Sequence, residues 1–133
     1  EIEEQLSEAS GEPVRVVFTP HLAPMNRGIL VTAYAALSGA CSDEELRRIY
    51  EKHYGNEMFI RLLPEGVYPE TRWVEGSNYY DISVRADERT GHVIVMAALD
   101  NLVKGAAGQA VQNMNLLFGL PENEGLSVVP LFP

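Results

Sequence analysis

Two apolar strand patterns separated by a short turn constrain the fold of this chain more than any other feature. Residues Tyr79–Ala86 alternate apolar and polar side chains, and Val93–Leu99 is apolar throughout. The intervening segment Asp87–Gly91 contains Asp, Thr and Gly, and Asp and Gly are residues that favour turns. The pattern predicts an antiparallel β-hairpin.

The rest of the sequence predicts helices and further strands around this hairpin. A capping box formed by Ser42 and Glu45, followed by apolar residues at helical spacing, predicts a helix over 43–54. A last helix is predicted over 104–118, because Gly119 and Pro121 follow it. Strands are predicted at 14–18, 29–37 and 58–63, and a short helix at 1–9. We therefore expect one α+β domain over residues 1–133, with a mainly antiparallel sheet and covering helices.

The composition limits the partners and the location of this chain. The formal net charge is −9 and the 10 Lys and Arg residues are scattered, so nucleic acid is not an expected partner. No apolar run reaches about 18 residues, and no signal-peptide pattern opens the sequence, so we expect no membrane partner and a cytoplasmic location. A single cysteine, Cys41, excludes an intrachain disulfide, and we expect no metal site.

A proline-flanked histidine is the first candidate for chemistry. His21 lies between Pro20 and Pro24, which fix two backbone dihedral angles and stiffen residues 19–28, the His21 loop. Because an unperturbed histidine pKa lies near 6.5, such a side chain can act as a general acid or base, or it can simply bond to the backbone. Arg27 can bind a carboxylate or phosphate through its planar guanidinium, or it can be an ordinary surface arginine.

The segment Asp100–Ala110 is the second candidate. Asn101 precedes a helix start built from Gly and Ala, where its side chain can cap free backbone N–H groups. A helix start also favours anions, although Gly105–Gly108 matches neither a P-loop nor a GxGxxG turn. Close packing of this helix against another domain or subunit would explain the small residues equally well.

These segments closely resemble a known enzyme family. The stretches Phe18–Ile29, Gly76–Tyr80, Asp100–Ala110 and Asn115–Pro121 resemble the N-acetyl-gamma-glutamyl-phosphate reductases, NADP-dependent enzymes of arginine biosynthesis. The resemblance is to their substrate and dimerisation domain. It implies the fold of the C-terminal catalytic domain of glyceraldehyde-3-phosphate dehydrogenase-like enzymes, and a homo-oligomer that forms through the sheet. The NADP-binding domain, with the nucleophilic cysteine, is absent, so this chain alone is expected to be inactive.

The resemblance also implies a mechanism and residue roles. The cysteine of the other domain attacks an acyl phosphate, phosphate leaves, and NADPH supplies hydride to give N-acetylglutamate semialdehyde. His21 would be the catalytic acid or base; Arg27, Ser77, Asn78 and Tyr79 would bind the substrate; and Asn101, Lys104 and Gly105 would contact the cofactor. Cys41 is not expected to be the nucleophile, because the acidic residues 43–45 oppose thiolate formation.

Two alternatives stay open at this point. One is an acyl-phosphate reductase of the aspartate-semialdehyde dehydrogenase type, which would share the mechanism and differ in substrate. The other is a dimerisation module without catalytic residues, which the apolar hairpin and the small-residue last helix would also suit. The semialdehyde that the complete enzyme oxidises distinguishes the first alternative from the acetylglutamyl reading.

Overall fold

A computed structural model describes residues 1–131 of the chain. Its helices are α1 (Ile2–Ser10), α2 (Asp43–Tyr54) and α3 (Gly108–Leu117), and its strands are β1 (Ile29–Ala36), β2 (Ile60–Leu62), β3 (Tyr80–Asp87) and β4 (His92–Leu99). A 3-10 turn at Thr71–Trp73 precedes β3, and a π-helical turn at Val103–Ala107 leads into α3. The predicted helices and all but one of the predicted strands are confirmed.

The strands form one four-stranded sheet in the order β1-β4-β3-β2. β3 and β4 are the predicted hairpin, and β1 pairs antiparallel with the other side of β4. β2 is the exception, because it runs parallel to β3. The α+β fold with a mainly antiparallel sheet is therefore confirmed.

Helix α2 covers one face of this sheet and packs against β2 and β3. Its predicted capping box is present: the Ser42 side chain accepts from the Glu45 backbone, and the Glu45 carboxylate accepts from the backbone of Ser42. Leu46 is its buried apolar residue. Asp43 Oδ1 accepts a hydrogen bond of 2.5 Å from the backbone N–H of Ala86, which ties the helix start to the far end of β3.

The strand predicted at 14–18 is wrong. The structure gives these residues no strand, because their N–H groups find partners on α1 instead of on a neighbouring strand. Val14 N–H donates to Ser7 Oγ at 2.8 Å, and Val16 N–H donates to Glu3 Oε1 at 2.9 Å. Val17 and Phe18 stay exposed. The β-branched run therefore reflects local propensity that no sheet uses.

The register of the sheet decides which loops meet. Leu99 at the end of β4 lies opposite Ile29 at the start of β1 and opposite Tyr80 at the start of β3. The segments just before β1, just before β3 and just after β4 therefore lie at the same end of the sheet. These are the segments in which the sequence predicts site residues.

Candidate functional site

Asp100, which directly follows β4, lies at the centre of this end of the sheet. Its side chain is fully shielded from solvent. Oδ1 accepts hydrogen bonds from the backbone N–H groups of Leu102 and Val103 at 2.8 and 3.1 Å, and Oδ2 accepts one from Gly76 at 2.6 Å. Oδ2 also lies 2.7 Å from Nε of Arg27. One carboxylate therefore joins all three converging segments.

The Asp100 carboxylate is held in its charged form. Burial alone would raise its pKa, but the hydrogen bonds from the backbone of Gly76, Leu102 and Val103 and the nearby Arg27 guanidinium outweigh that effect and lower the pKa below its ordinary value. The negative charge compensates the positive charge of Arg27. It also pairs with backbone N–H groups at the start of the following helical turn, which have no partner within that turn. Asp100 is not among the site residues predicted from the sequence, although an aspartate between a strand and a helix start is a recognised capping signal.

Arg27 is held at one edge of its guanidinium. Its Nε lies against Asp100, but the N–H is not aligned on the carboxylate oxygen, so the contact is an ion pair rather than a well-formed hydrogen bond. The side chain keeps 29 % of its surface exposed. Among residues 1–131 the structure records no partner for the two terminal nitrogens. Arg27 therefore has donors left for an anionic ligand.

Asn101 holds the end of the His21 loop instead of capping the following helix. Its Oδ1 accepts a hydrogen bond of 2.7 Å from the backbone N–H of Gly28. The predicted capping role of Asn101 is wrong, because the Asp100 side chain takes the N–H groups of Leu102 and Val103. Gly28 has a φ of 105°, and a Cβ there would lie 2.8 Å from the Thr71 side chain, so the junction requires glycine.

The amide of Asn101 is thereby oriented. Since Oδ1 is the acceptor for Gly28, the other amide atom, Nδ2, is a donor. No partner for Nδ2 is recorded within the part of the chain that the structure describes. Gly105, Ala106 and Ala107 are exposed beside it along the chain. This end of the sheet therefore offers a directed donor next to exposed small residues.

The substrate segment predicted at 77–79 is shaped by its buried side chains. Ser77 is fully buried; its Oγ donates to the Val74 carbonyl at 2.7 Å and accepts from Tyr79 N–H at 3.4 Å. Asn78 is also buried, and its Nδ2 donates to Gln112 Oε1 of α3 at 2.8 Å. Asn78 Oδ1 is buried without a recorded partner, and it lies where a Cβ at Gly108 would collide with it. The side chains thus fix the loop on α3.

Lys104 turns its ammonium inward. Nζ donates to Gln112 Oε1 at 2.8 Å and lies 5.6 Å from the centre of the Phe59 ring. Burial lowers the pKa of Lys104, while the carboxylates of Glu122 and Glu57 oppose that shift. Gln112 in turn donates to Glu122 Oε1 at 2.6 Å, so the ammonium belongs to a partly buried hydrogen-bonded chain that also includes Asn78.

Tyr79 is packed between two neighbours. Its ring meets Phe59 edge-on with centroids 6.0 Å apart, and the Arg61 guanidinium lies 4.6 Å from its centroid. Arg61 is held by both oxygens of the buried Asp81, at 2.6 and 2.9 Å. The ring is therefore fixed in place while remaining partly exposed.

His21 stands apart from this cluster. It is exposed, and the contact recorded for its ring is Nδ1 to the Thr19 carbonyl at 3.1 Å. Within residues 1–131 the structure shows no hydrogen bond between His21 and any other predicted site residue. The structure therefore brings together Arg27, the 77–79 segment and the 101–105 segment, and leaves the histidine on the loop that Arg27 and Gly28 anchor.

Residues 1–131 contain no group of three or more His, Cys, Asp or Glu side chains placed to hold a metal ion. None of the helices in that range is long and apolar enough to cross a membrane.

The chain is similar in sequence to proteins named N-acetyl-gamma-glutamyl-phosphate reductase. A protein named N-acetyl-gamma-glutamyl-phosphate reductase from Lachnospira eligens is 63% identical to this chain over 134 aligned residues, and one from Lachnoclostridium phytofermentans is 61% identical over 133. Each alignment covers the whole of this chain and 38% of the relative. This chain thus spans well under half the length of the curated relatives it matches.

The fold has a counterpart among solved structures. The crystal structure of aspartate semialdehyde dehydrogenase II from Vibrio cholerae superposes with a TM-score of 0.57, covering 70% of this chain and 28% of that protein at 24% sequence identity. Residues 1–101 match the family described as semialdehyde dehydrogenase, dimerisation domain. Since the match extends over most of the chain, the chain belongs to the semialdehyde dehydrogenase dimerisation-domain family.

Proposed function

We propose that this chain is the substrate and dimerisation domain of an NADP-dependent N-acetyl-gamma-glutamyl-phosphate reductase, an oxidoreductase of arginine biosynthesis in the cytoplasm. The observation that carries the proposal is the convergence of Arg27, residues 77–79 and Asn101 at one end of the sheet. The names of relatives that are 61–63% identical support this reductase over one for aspartyl phosphate. Because these relatives are much longer, we expect residues 1–133 alone to be inactive.

His21 is the proposed acid and base. Its ring is exposed and keeps Nε2 available while Nδ1 faces the Thr19 carbonyl. If Nδ1 carries the proton, that contact fixes the tautomer in which Nε2 accepts a proton from the reacting group and later returns it. The nucleophilic cysteine belongs to the other domain, so His21 has to meet it across the domain boundary.

Arg27 and residues 77–79 are the proposed binding groups for the acyl phosphate. Arg27 offers its terminal nitrogens, whose planar arrangement suits a phosphate or carboxylate. Since the side chains of Ser77 and Asn78 are buried, they contribute by holding the backbone of the loop, and Tyr79 contributes its partly exposed ring. The net charge of −9 makes such a local cation necessary for an anionic substrate.

Asn101, Lys104 and Gly105 are the proposed residues that contact NADP, which supplies hydride when bound. Asn101 would donate from Nδ2 to the nicotinamide carboxamide, and Gly105 would let the ring approach the backbone. Lys104 would act through its backbone, because its ammonium bonds to Gln112.

Two substitutions of Asn101 separate its proposed contact with the cofactor from its hydrogen bond to Gly28. Asn101→Asp keeps an oxygen acceptor for Gly28 and removes the Nδ2 donor, whereas Asn101→Ala removes both. We expect both changes to raise KM for NADP about tenfold, the size expected for one lost hydrogen bond in a binding site. We expect only Asn101→Ala to loosen the Gly28 junction. An unchanged KM for NADP in Asn101→Asp contradicts the cofactor role.

The sheet is the proposed surface of a homo-oligomer. All eight residues of the edge strand β1 are exposed, and Leu30 and Tyr34 on one of its faces are 57% and 68% exposed. By the register, these two side chains share their face with Ala98 and Ile94 of β4, on the side of the sheet away from Tyr80 and α2. A second copy would cover the exposed Leu30 and Tyr34 side chains on this face.

Introducing a charged side chain tests whether the oligomer forms through the sheet. Tyr34→Glu places a carboxylate in the proposed interface, and Tyr68→Glu is the matched control on a loop, where the tyrosine is 51% exposed. We expect the first variant to lower the molar mass in light scattering to that of one chain, and the control to keep the oligomer. Dissociation of both variants, or of neither, contradicts an interface through the sheet.

The choice between two semialdehyde substrates tests the proposed activity. The full-length enzyme that contains this chain should reduce NADP with N-acetylglutamate semialdehyde in a phosphate-dependent manner, and residues 1–133 alone should not. Aspartate semialdehyde is the matched competitor substrate. A larger kcat/KM for aspartate semialdehyde would move the assignment to the aspartyl branch, and activity with neither substrate would leave a dimerisation module.

A further inference from the structure

The most connected side chain of the site is one that never reaches solvent. Asp100 contacts Gly76 next to the proposed substrate loop, the N–H groups of Leu102 and Val103 in the proposed cofactor segment, and Arg27 at the end of the His21 loop. It cannot touch a substrate itself, because its side chain is shielded from solvent by those same groups. Any effect it has on the reaction must pass through these three segments.

The geometry points to Asp100 as a positioning residue: its carboxylate fixes the Arg27 guanidinium and the proposed substrate and cofactor segments relative to one another. This inference rests on the proposed function for the identity of the ligands. The contacts of Asp100 with the three segments do not depend on that identity. The two carboxylate oxygens have different partners, which supports the inference. Oδ1 accepts hydrogen bonds from the 102–103 turn, while Oδ2 contacts Gly76 and Arg27.

Asp43, a partly buried aspartate far from the site, shows what a purely structural role looks like. Asp43 also stands at a helix start and also accepts from a backbone N–H, that of Ala86. Ala86 lies opposite Val93, next to the hairpin turn and at the other end of β3 from Tyr80. Asp43 therefore joins a helix to the sheet without touching any segment of the site, and it is the matched control.

Two variants of Asp100 dissect the role. Asp100→Ser keeps a good capping oxygen for the 102–103 turn and is too short to hold Gly76 and Arg27. Asp100→Asn keeps the size of the side chain but replaces one carboxylate oxygen with an amide nitrogen. That nitrogen has to face either the N–H groups of the 102–103 turn or those of Gly76 and Arg27, and it cannot accept a hydrogen bond from them. The serine variant thus preserves the fold of the helical turn if the asparagine variant does not fold.

The test uses the full-length enzyme with Asp100→Ser, Asp100→Asn and the control Asp43→Asn. We expect both Asp100 variants to raise KM for phosphate and for the semialdehyde about tenfold or more, as on losing charge-assisted hydrogen bonds. We expect hydrogen exchange to accelerate at 26–28 and 76–79, and in Asp100→Ser to stay slow at 102–103. Asp43→Asn should lower the melting temperature and keep KM within about twofold.

Two results would overturn the inference. One is a wild-type KM in Asp100→Ser; the other is faster exchange spread evenly over the chain, as expected for Asp43→Asn, rather than at the joined segments. The exchange measurement needs no substrate. A wild-type enzyme without reductase activity would therefore overturn the proposed function, while the exchange pattern would still decide for or against positioning by Asp100.

Discussion

The His21 loop and the cluster around Asp100 are neighbours built in opposite ways. In the loop, His21 and Leu22 are exposed, and the side chain of Leu22 is as open as in an extended peptide, at 106%. In the cluster, Ser77, Asn78 and Asp100 are between 0% and 1% exposed, and their polar atoms are mostly paired inside the chain. The contrast indicates that the two regions have different roles: the loop presents the proposed reactive group, and the cluster fixes the end of the loop.

Removing the histidine should produce the largest change and should not affect folding. His21→Ala in the full-length enzyme should lower kcat about a hundredfold to ten-thousandfold, the range for loss of a general acid or base. The melting temperature should stay unchanged, because the side chain is exposed and its recorded hydrogen bond among the described residues is to the Thr19 carbonyl. His53→Ala, an exposed histidine on α2, is the control and should keep the wild-type rate. An equal loss in both variants would remove the special role of His21.

Adding a methyl group at Gly108, which packs tightly against Asn78 and Val103, should affect stability next most strongly. A Cβ at Gly108 would collide with Asn78 Oδ1 and lie 2.7 Å from the Val103 side chain. Gly108→Ala should therefore lower the free energy of unfolding by about 1–3 kcal/mol, the usual cost of overpacking. Gly39→Ala is the control, because a Cβ there meets nothing within 4 Å. Chemical denaturation measures both, and a neutral Gly108→Ala would mean that the cluster is loosely packed.

Acid should weaken the cluster through Asp100. The pKa of this carboxyl is lowered in the folded chain, so its contribution to stability is complete above the ordinary aspartate pKa of about 3.9 and is lost as the pH falls through its folded pKa. Asparagine does not titrate. The stability difference between wild type and Asp100→Asn should thus be constant from about pH 5 to 8 and shrink below about pH 4. A difference that grows toward low pH would contradict the direction of the shift.

The smallest effect should come from the loop's apolar side chains. Leu22→Ser should change the free energy of unfolding of residues 1–133 by less than about 0.5 kcal/mol, as expected for an exposed site. Leu46→Ala in α2 is the contrast, because that leucine is 6% exposed and should cost about 2–5 kcal/mol. A large decrease in the free energy of unfolding of Leu22→Ser would show that the loop packs on the domain. It would remove the contrast between the two regions.

The sequence predicted the regular elements well because their signals are local. The capping box at Ser42 and the alternation in 79–86 depend on residues close in sequence, and both are confirmed. The run at 14–18 carried the same kind of local signal and was wrong, since whether a strand forms depends on a distant partner.

The site was predictable only in part. The sequence pointed to Arg27 and Asn101, whose convergence the structure shows, but it did not reveal Asp100, because an aspartate after a strand resembles many ordinary capping residues. Its contact with Gly76 spans 24 positions and that of Asn101 with Gly28 spans 73. Contacts at such separations follow from the sheet register, which no local pattern specifies. The roles assigned to the site residues remain predictions.

Hydrogen exchange of residues 1–133, followed amide by amide, tests the contrast between the two regions most directly. We predict fast exchange at residues 17–19 and 21–22, and slow exchange at the N–H groups of Gly28, Gly76 and Leu102, which donate hydrogen bonds to the side chains of Asp100 and Asn101. Equal exchange rates in the two regions, whether fast or slow, would contradict the account of an exposed reactive loop anchored on a buried polar cluster.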